Sequence, residues 1–196
     1  MNLPNKLTVL RIVLVPVYML LFLWDFPFHY LASGLVFGAA ALTDLFDGRI
    51  ARSRGLITDL GKFLDPIADK MLTTAAFIGL MTVGQMSPWA LLLILTREFA
   101  VTSVRLMAAT SGKVIAADLF GKLKTVAQFV AILCATAALE FSTWQGGILS
   151  RFALLDVVYS IPLLVTYLLL WVATLLTVMS GVNYLWQNRH FFNESK

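Results

Sequence analysis

Charge is what this sequence has least of. Charged residues make up 13% of its 196 residues, against ~25% in an ordinary soluble domain. A water-soluble globule of this size needs more polar surface than that, so the scarcity excludes a soluble enzyme and a disordered chain alike. Cysteine is nearly absent too. Cys134 stands alone and no internal disulfide can form, which excludes a disulfide-rich secreted domain. Acidic side chains number 11 against 15 basic ones, a net charge of +4. In so apolar a chain this surplus reads as loop bias on one side of a membrane rather than a nucleic-acid footprint. What is abundant is apolar: 59% of residues, with the 12 glycines not counted, where soluble domains reach about 45–50% with glycine included.

A spanning helix needs about 20 mostly apolar residues. Six stretches qualify: Leu7 to Trp24, Tyr30 to Asp47, Leu60 to Val83, Pro88 to Ala109, Leu119 to Leu139, and Phe152 to Tyr184. The last is long enough to run on as a cytosolic helix. Turn chemistry separates them at Asp25-Phe26-Pro27, Gly84 to Pro88, Ser111-Gly112-Lys113 and Gln145-Gly146-Gly147. The first stretch follows Lys6 and Arg11 as a signal peptide would. Asp25-Phe26-Pro27-Phe28 is no small-residue cleavage site, however, and more spans follow, so it reads as a true span. Every lysine and arginine except Arg151 falls toward one side or in the half-helices entering it. Both termini are therefore expected in the cytosol. The expected fold is an all-α integral membrane protein. It has six transmembrane helices in one bundle, a short juxtamembrane helix over Asn2 to Arg11, and a cytosolic-facing active site. Residues 1–196 read as a single membrane-embedded domain.

A charge inside a spanning helix costs a few kcal/mol on insertion scales, yet residues 43–70 carry Asp44, Asp47, Asp59, Asp65 and Asp69. Asp44, Asp47, Gly48 and Ala51 fall at i, i+3, i+4 and i+7, one helical stripe. Gly61, Asp65 and Asp69 fall at i, i+4 and i+8, a second stripe on the next helix. A short connection makes the two helices antiparallel neighbours, so four carboxylates can converge where both meet the cytosol. Ligands that are all oxygen suit a hard divalent cation, Mg²⁺ or Mn²⁺, and the lack of a nearby His or Cys argues against zinc. Gly48, Ala51 and Gly61 leave room for a ligand to approach the helix backbones. The competing reading is an ion-pair network with Arg49, Arg52, Lys62 and Lys70. Asp59 lies off both stripes and reads as a helix cap or loop charge.

The run Asp44-x2-Asp47-Gly48-x2-Ala51-Arg52-x8-Gly61-x3-Asp65-x3-Asp69 resembles the signature of the CDP-alcohol phosphatidyltransferase family at every defined position, including the eight-residue gap. The resemblance implies a homodimeric six-helix membrane enzyme with a two-metal site, Mg²⁺ or Mn²⁺. Such an enzyme moves a phosphatidyl group from a CDP-linked lipid to an alcohol and releases CMP. It further implies that Asp44, Asp47, Asp65 and Asp69 are metal ligands and that Asp69 is the general base for the acceptor hydroxyl. The CDP-lipid would lie against Asp47, Gly48, Ala51, Arg52 and Gly61, with Arg52 near its phosphates. A displacement at a pyrophosphate fits these residues, since two cations can clamp its charged oxygens.

The acceptor is read from the remaining intramembrane charges. Arg97 and Arg105 are eight apart on the fourth helix and share a face, with Glu98 beside them. Lys122 and Lys124 open the fifth helix. A cationic pocket facing the carboxylates suits an anionic acceptor, such as a phosphorylated polyol, whereas choline would find aromatic or acidic groups. The competing reading is that the lysines snorkel at a helix end and that Arg97 pairs with Glu98. Leu3 to Arg11, Thr96 to Arg105 and Gly121 to Thr125 resemble phrases of the bacterial phosphatidylglycerophosphate synthase branch of the family. That narrower resemblance implies CDP-diacylglycerol as donor and glycerol 3-phosphate as acceptor. Arg105, Lys122, Lys124 and Arg97 would bind the acceptor's phosphate, in phosphatidylglycerol biosynthesis at a bacterial cell membrane. No nucleic-acid partner is expected.

Other readings stay open. A cardiolipin synthase of the same family would use phosphatidylglycerol, also anionic, and serine or inositol phosphate acceptors are further options. From other classes, a divalent-metal transporter could use intramembrane acids as an ion path, and a scaffold would do no chemistry. Gly34-x3-Gly38 reads as a small-residue packing motif, within or between subunits. Gly55 to Lys62 departs from a phosphate loop in spacing, with Phe63 where Ser or Thr belongs. The sequon at Asn193 lies in the expected cytosolic tail. His29 and His190 read as interfacial, and Trp24, Trp89, Trp144 and Trp186 as an aromatic belt.

Overall fold

Apolar residues outnumber breakers through each of the six stretches, and each becomes one helix. The computed structural model describes residues 3–54, 59–110, 119–144 and 153–189; only the backbone is described for 3–7, 44–54, 59–66, 69, 110 and 153–159. The helices are α1 (Leu3–Leu23), α2 (His29–Arg54), α3 (Asp59–Thr82), α4 (Pro88–Thr110), α5 (Leu119–Thr143) and α6 (Ala153–Gln187). There is no strand among the described residues. The separate juxtamembrane helix expected over Asn2 to Arg11 is not found: α1 runs unbroken from Leu3. Pro4 sits in its first turn, where a missing N–H costs nothing, and no residue before Arg11 interrupts the helix afterwards.

The turns follow their chemistry. At the end of α3, Gly84 adopts φ 76°. The Gln85 N–H reaches the Leu80 carbonyl at 2.9 Å and the Gly84 N–H reaches that of Met81 at 3.1 Å, the paired bonds of a Schellman cap. Ser87 then caps α4, its Oγ accepting from the Trp89 N–H at 3.3 Å, with Pro88 as first helical residue. Between α1 and α2, Phe28 takes a left-handed φ of 66°. His29, at the start of α2, is buried and bonds the Phe22 carbonyl through Nδ1 at 3.1 Å. His190 lies outside the described residues.

The helices pack together both as chain neighbours and across the chain order, α1 on α3 and α4 on α6 as well as α5 on α6. Phe22 near the end of α1 meets Tyr30 at the start of α2, and α1 packs on both α2 and α3. The most extensive contact is between α5 and α6. The buried positions Ala173, Thr174, Thr177, Ser180 and Gly181 of α6, which packs on both α4 and α5, are small, and small residues let helix backbones approach closely. Gly34 settles its role within the chain, since an added Cβ there would lie 3.3 Å from Thr136 Cγ2 of α5. The core centres on Tyr18, Phe22, Phe37, Phe77, Leu80, Ile94 and Ile132. Phe22 is fully buried among Tyr18, Tyr30 and Gly79. Phe22→Ala is expected to destabilise the protein by about 3–5 kcal/mol, read as a lowered melting temperature in detergent.

The outer faces are apolar. Leu35, Phe99, Leu106, Leu123, Val126, Leu168, Val172 and Met179 are all exposed, far more apolar surface than a soluble monomer shows. Residues Leu119–Thr143 and Ser160–Gln187 are each long and apolar enough to cross a membrane. Among the residues whose side chains are described, Thr8–Leu23, His29–Thr43 and Lys70–Thr82 are further apolar helical segments. Trp24, Trp89, Trp144 and Trp186 are exposed at helix ends, while Trp171 packs against the core.

Glu140 is a buried acid at the far end of α5. Its Oε2 accepts from the Leu31 N–H in the first turn of α2 at 3.1 Å, and its Oε1 from Trp144 Nε1 at 3.2 Å. It satisfies an orphan helix donor at the start of α2.

Candidate active site

Sequence periodicity explains how basic side chains enter the bundle. The buried positions of α4 run Ile94, Arg97, Val101, Val104 and Ala108, a helical stripe with arginine where an apolar residue is expected. On α5 the buried stripe begins Gly121, Lys124, Gln128 before turning to Ala131, Ile132 and Ala135. Where the two stripes face each other they line a cavity of ≈ 440 Å³, together with residues of α1, α2 and α3.

Six cationic side chains line it: Arg11 from α1, Lys70 from α3, Arg97 and Arg105 from α4, and Lys122 and Lys124 from α5. Glu98 is the one carboxylate among the described lining residues. Lys124, 7% exposed, pairs with Glu98 Oε1. Arg97, 8% exposed, reaches the same oxygen through Nη1 at 3.3 Å and Ser180 Oγ through Nη2 at 2.8 Å. Lys70 Nζ donates to the Glu98 carbonyl at 2.9 Å and to the Thr102 hydroxyl. Arg105 and Lys122 are exposed. Arg105 Nε donates to Tyr184 Oη at 3.3 Å, with its guanidinium carbon 5.3 Å from that ring's centroid. The site thus has an inner, Glu98-bound set of cations and an outer, open set.

The signature residues flank this cavity along the backbone. Asp44, Asp47, Gly48, Ala51 and Arg52 lie on the last part of α2, and Gly61, Asp65 and Asp69 on the first part of α3. Their side chains fall outside the described residues. Asp44 is one turn beyond Ala40, and Asp69 one turn before Thr73, and both Ala40 and Thr73 line the cavity. Among the described residues no group of His, Cys, Asp or Glu could hold a metal. The four aspartates are not among the side chains to which that applies.

The sequence profile of the CDP-alcohol phosphatidyltransferases matches residues 1–179. The chain belongs to that family. It is 39% identical over 199 residues to the CDP-diacylglycerol–glycerol-3-phosphate 3-phosphatidyltransferase of Bacillus subtilis, covering 95% of each chain. Proteins of the same name in Rickettsia bellii (35% over 191 residues, 97% of each) and Salmonella paratyphi A (34% over 189 residues, 94% of this chain and 93% of that one) are similar as well.

In this CDP-alcohol phosphatidyltransferase, sequence reading selected four of the six cations in the cavity and passed over Arg11 and Lys70. Arg11 lies in a phrase quoted only for its resemblance, and Lys70 directly follows Asp69. It also left Glu98 as a mere partner of Arg97, whereas Glu98 gathers two cations from different helices. Ser180 and Tyr184 gave no sequence signal, because a serine or tyrosine in an apolar helix is unremarkable until its partner is known.

Proposed function

We propose that this chain transfers the phosphatidyl group of CDP-diacylglycerol to the primary hydroxyl of sn-glycerol 3-phosphate, giving phosphatidylglycerophosphate and CMP. The observation that carries the reading is the cationic cavity beside the two signature-bearing helix segments. A dianionic phosphate is the ligand such a cavity suits, and guanidinium groups bind phosphate through paired hydrogen bonds. The names of the similar bacterial proteins point to the same two substrates.

In this reading Arg105 and Lys122 meet the acceptor phosphate first, and Lys124 and Arg97 complete its site. Arg52 binds the CDP phosphates, while Gly48, Ala51 and Gly61 keep the helix surface free of bulk where cytidine lies. Asp69 takes the proton of the acceptor hydroxyl as its oxygen bonds to the lipid-side phosphorus and the bond to the CMP oxygen breaks. Asp44, Asp47, Asp65 and Asp69 would hold two divalent cations, Mg²⁺ or Mn²⁺, for which an all-oxygen donor set is suited. When bound, these ions supply charge neutralisation at the phosphate oxygens.

The setting belongs to the proposal. Residues 1–196 act as one domain whose six helices cross the bacterial cell membrane. Both termini and the site face the cytosol, as the lysine and arginine bias directs, and two copies form a homodimer. The exposed apolar faces support the membrane placement.

The test is CMP release by the detergent-solubilised protein with CDP-diacylglycerol, Mg²⁺ or Mn²⁺, and one acceptor at a time. Release is expected with glycerol 3-phosphate and not with serine, inositol phosphate or phosphatidylglycerol. Release with phosphatidylglycerol alone would make it a cardiolipin synthase. Metal uptake into vesicles without CMP release would return the transporter reading.

A further inference from the structure

The basic side chains of the cavity do not stand on α4 and α5 unaided. On α6, Thr177, Ser180, Gly181 and Tyr184 fall at i, i+3, i+4 and i+7, one stripe turned inward and buried. None of them lines the cavity, yet each meets a residue that does. Thr177 Oγ1 accepts from Gln128 Nε2 at 2.9 Å. Ser180 Oγ accepts from Arg97 Nη2 at 2.8 Å. Tyr184 Oη accepts from Arg105 Nε at 3.3 Å, and its ring lies beside that guanidinium. Gly181 acts by what it lacks: a Cβ there would stand 2.5 Å from Arg97 Cγ and 3.5 Å from both its Cβ and Nε. The Cγ belongs to the root of the side chain, so it cannot swing aside without carrying the guanidinium with it.

We propose that Ser180, Gly181 and Tyr184 are positioning residues, which hold Arg97 and Arg105 in the geometry that receives the acceptor's phosphate. The proposal rests on the reading of the cavity as the acceptor site. A long arginine loses rotamer freedom when it binds an anion. Bonds to a second helix fix it beforehand, and such preorganisation favours binding. The effect therefore falls on the acceptor and not on the CDP-lipid.

The experiment is steady-state kinetics of Tyr184→Phe, Ser180→Ala and Gly181→Ala, each alone and combined with alanine at its arginine. Tyr184→Phe keeps the ring and removes only the hydroxyl. It is expected to raise KM for glycerol 3-phosphate about three- to tenfold, with kcat and KM for CDP-diacylglycerol little changed. Ser180→Ala is expected to act alike, and Gly181→Ala more strongly because it displaces Arg97 outright. If Gly181→Ala does not fold, Ser180→Ala decides the Arg97 half. In the Arg105→Ala background Tyr184→Phe should add nothing, and in the Arg97→Ala background neither should Ser180→Ala, because a residue acting through another loses its effect with it. Additive effects, or equal rises in KM for both substrates, would mean general structural damage and overturn the proposal. If Arg105→Ala raises the acceptor KM while Tyr184→Phe does not, only the role of α6 falls. If Arg105→Ala leaves the acceptor KM unchanged in an active enzyme, the cavity reading falls and takes this proposal with it.

Discussion

Asp69→Asn is expected to lower CMP release by about 10²–10⁴-fold, the range a positioned general base contributes. Asparagine has the size of aspartate, so the helix at this point of α3 has no steric reason to change. What disappears is the charge and the capacity to take a proton. Were Asp69 only a cation ligand, excess Mn²⁺ would restore much of the rate by mass action. If it is the base, saturating metal leaves the defect in place. Asp59→Asn is the control. Asp59 begins α3, lies off both carboxylate stripes, and asparagine caps a helix as well as aspartate does, so turnover near the unmodified level is expected. Asp69→Asn protein that binds CDP-diacylglycerol and still turns over within tenfold of the original would end the assignment of Asp69 as base.

Glu98→Gln is expected to destabilise the protein strongly. Glu98 accepts from Lys124 and Arg97 at one oxygen, and both cations are nearly inaccessible to solvent. Removing one partner of a buried pair costs about 3–5 kcal/mol, because the opposite charge stays buried without compensation. A fall in melting temperature of about 10 °C is expected for a chain of this length. Two further measurements separate charge from packing. Inorganic phosphate should recover part of the loss by supplying the missing negative charge among the cavity cations. The double variant Glu98→Gln with Lys124→Met should also be more stable than Glu98→Gln alone, since it removes an orphaned cation. Unchanged melting in Glu98→Gln, or no recovery by either route, would mean that Glu98 does not hold the inner cations.

Much of the architecture was legible before any coordinate. Apolar stretches bounded by Asp25-Phe26-Pro27 and Gly84 to Pro88 mark helix ends because those residues set backbone angles locally, and Gly84 does adopt the left-handed angle. The stripe rule also placed Arg97 and Arg105 on one face and Lys122 and Lys124 at a helix start, and all four line one cavity. Local periodicity could not show that Arg11 and Lys70 join them. Their arrival depends on α1 and α3 packing at one end of the bundle. The expected surface helix at Asn2 to Arg11 failed for a related reason: an apolar-polar pattern shows no boundary when helical geometry continues through it.

The sequence by itself determined the family, the helical class and the order of the six helices. It did so because a fixed-spacing signature and helix periodicity are local properties of a chain. Tertiary structure alone decided that Gly34 packs against Thr136 within the chain and that Glu140 caps α2 from another helix. It alone decided that Glu98 holds Lys124 of another helix and that α6 backs the arginines through Ser180, Gly181 and Tyr184. Each of these joins residues far apart in the chain. A polar atom inside an apolar bundle must find its partner wherever packing brings one within about 3 Å, and no spacing along the sequence encodes that meeting.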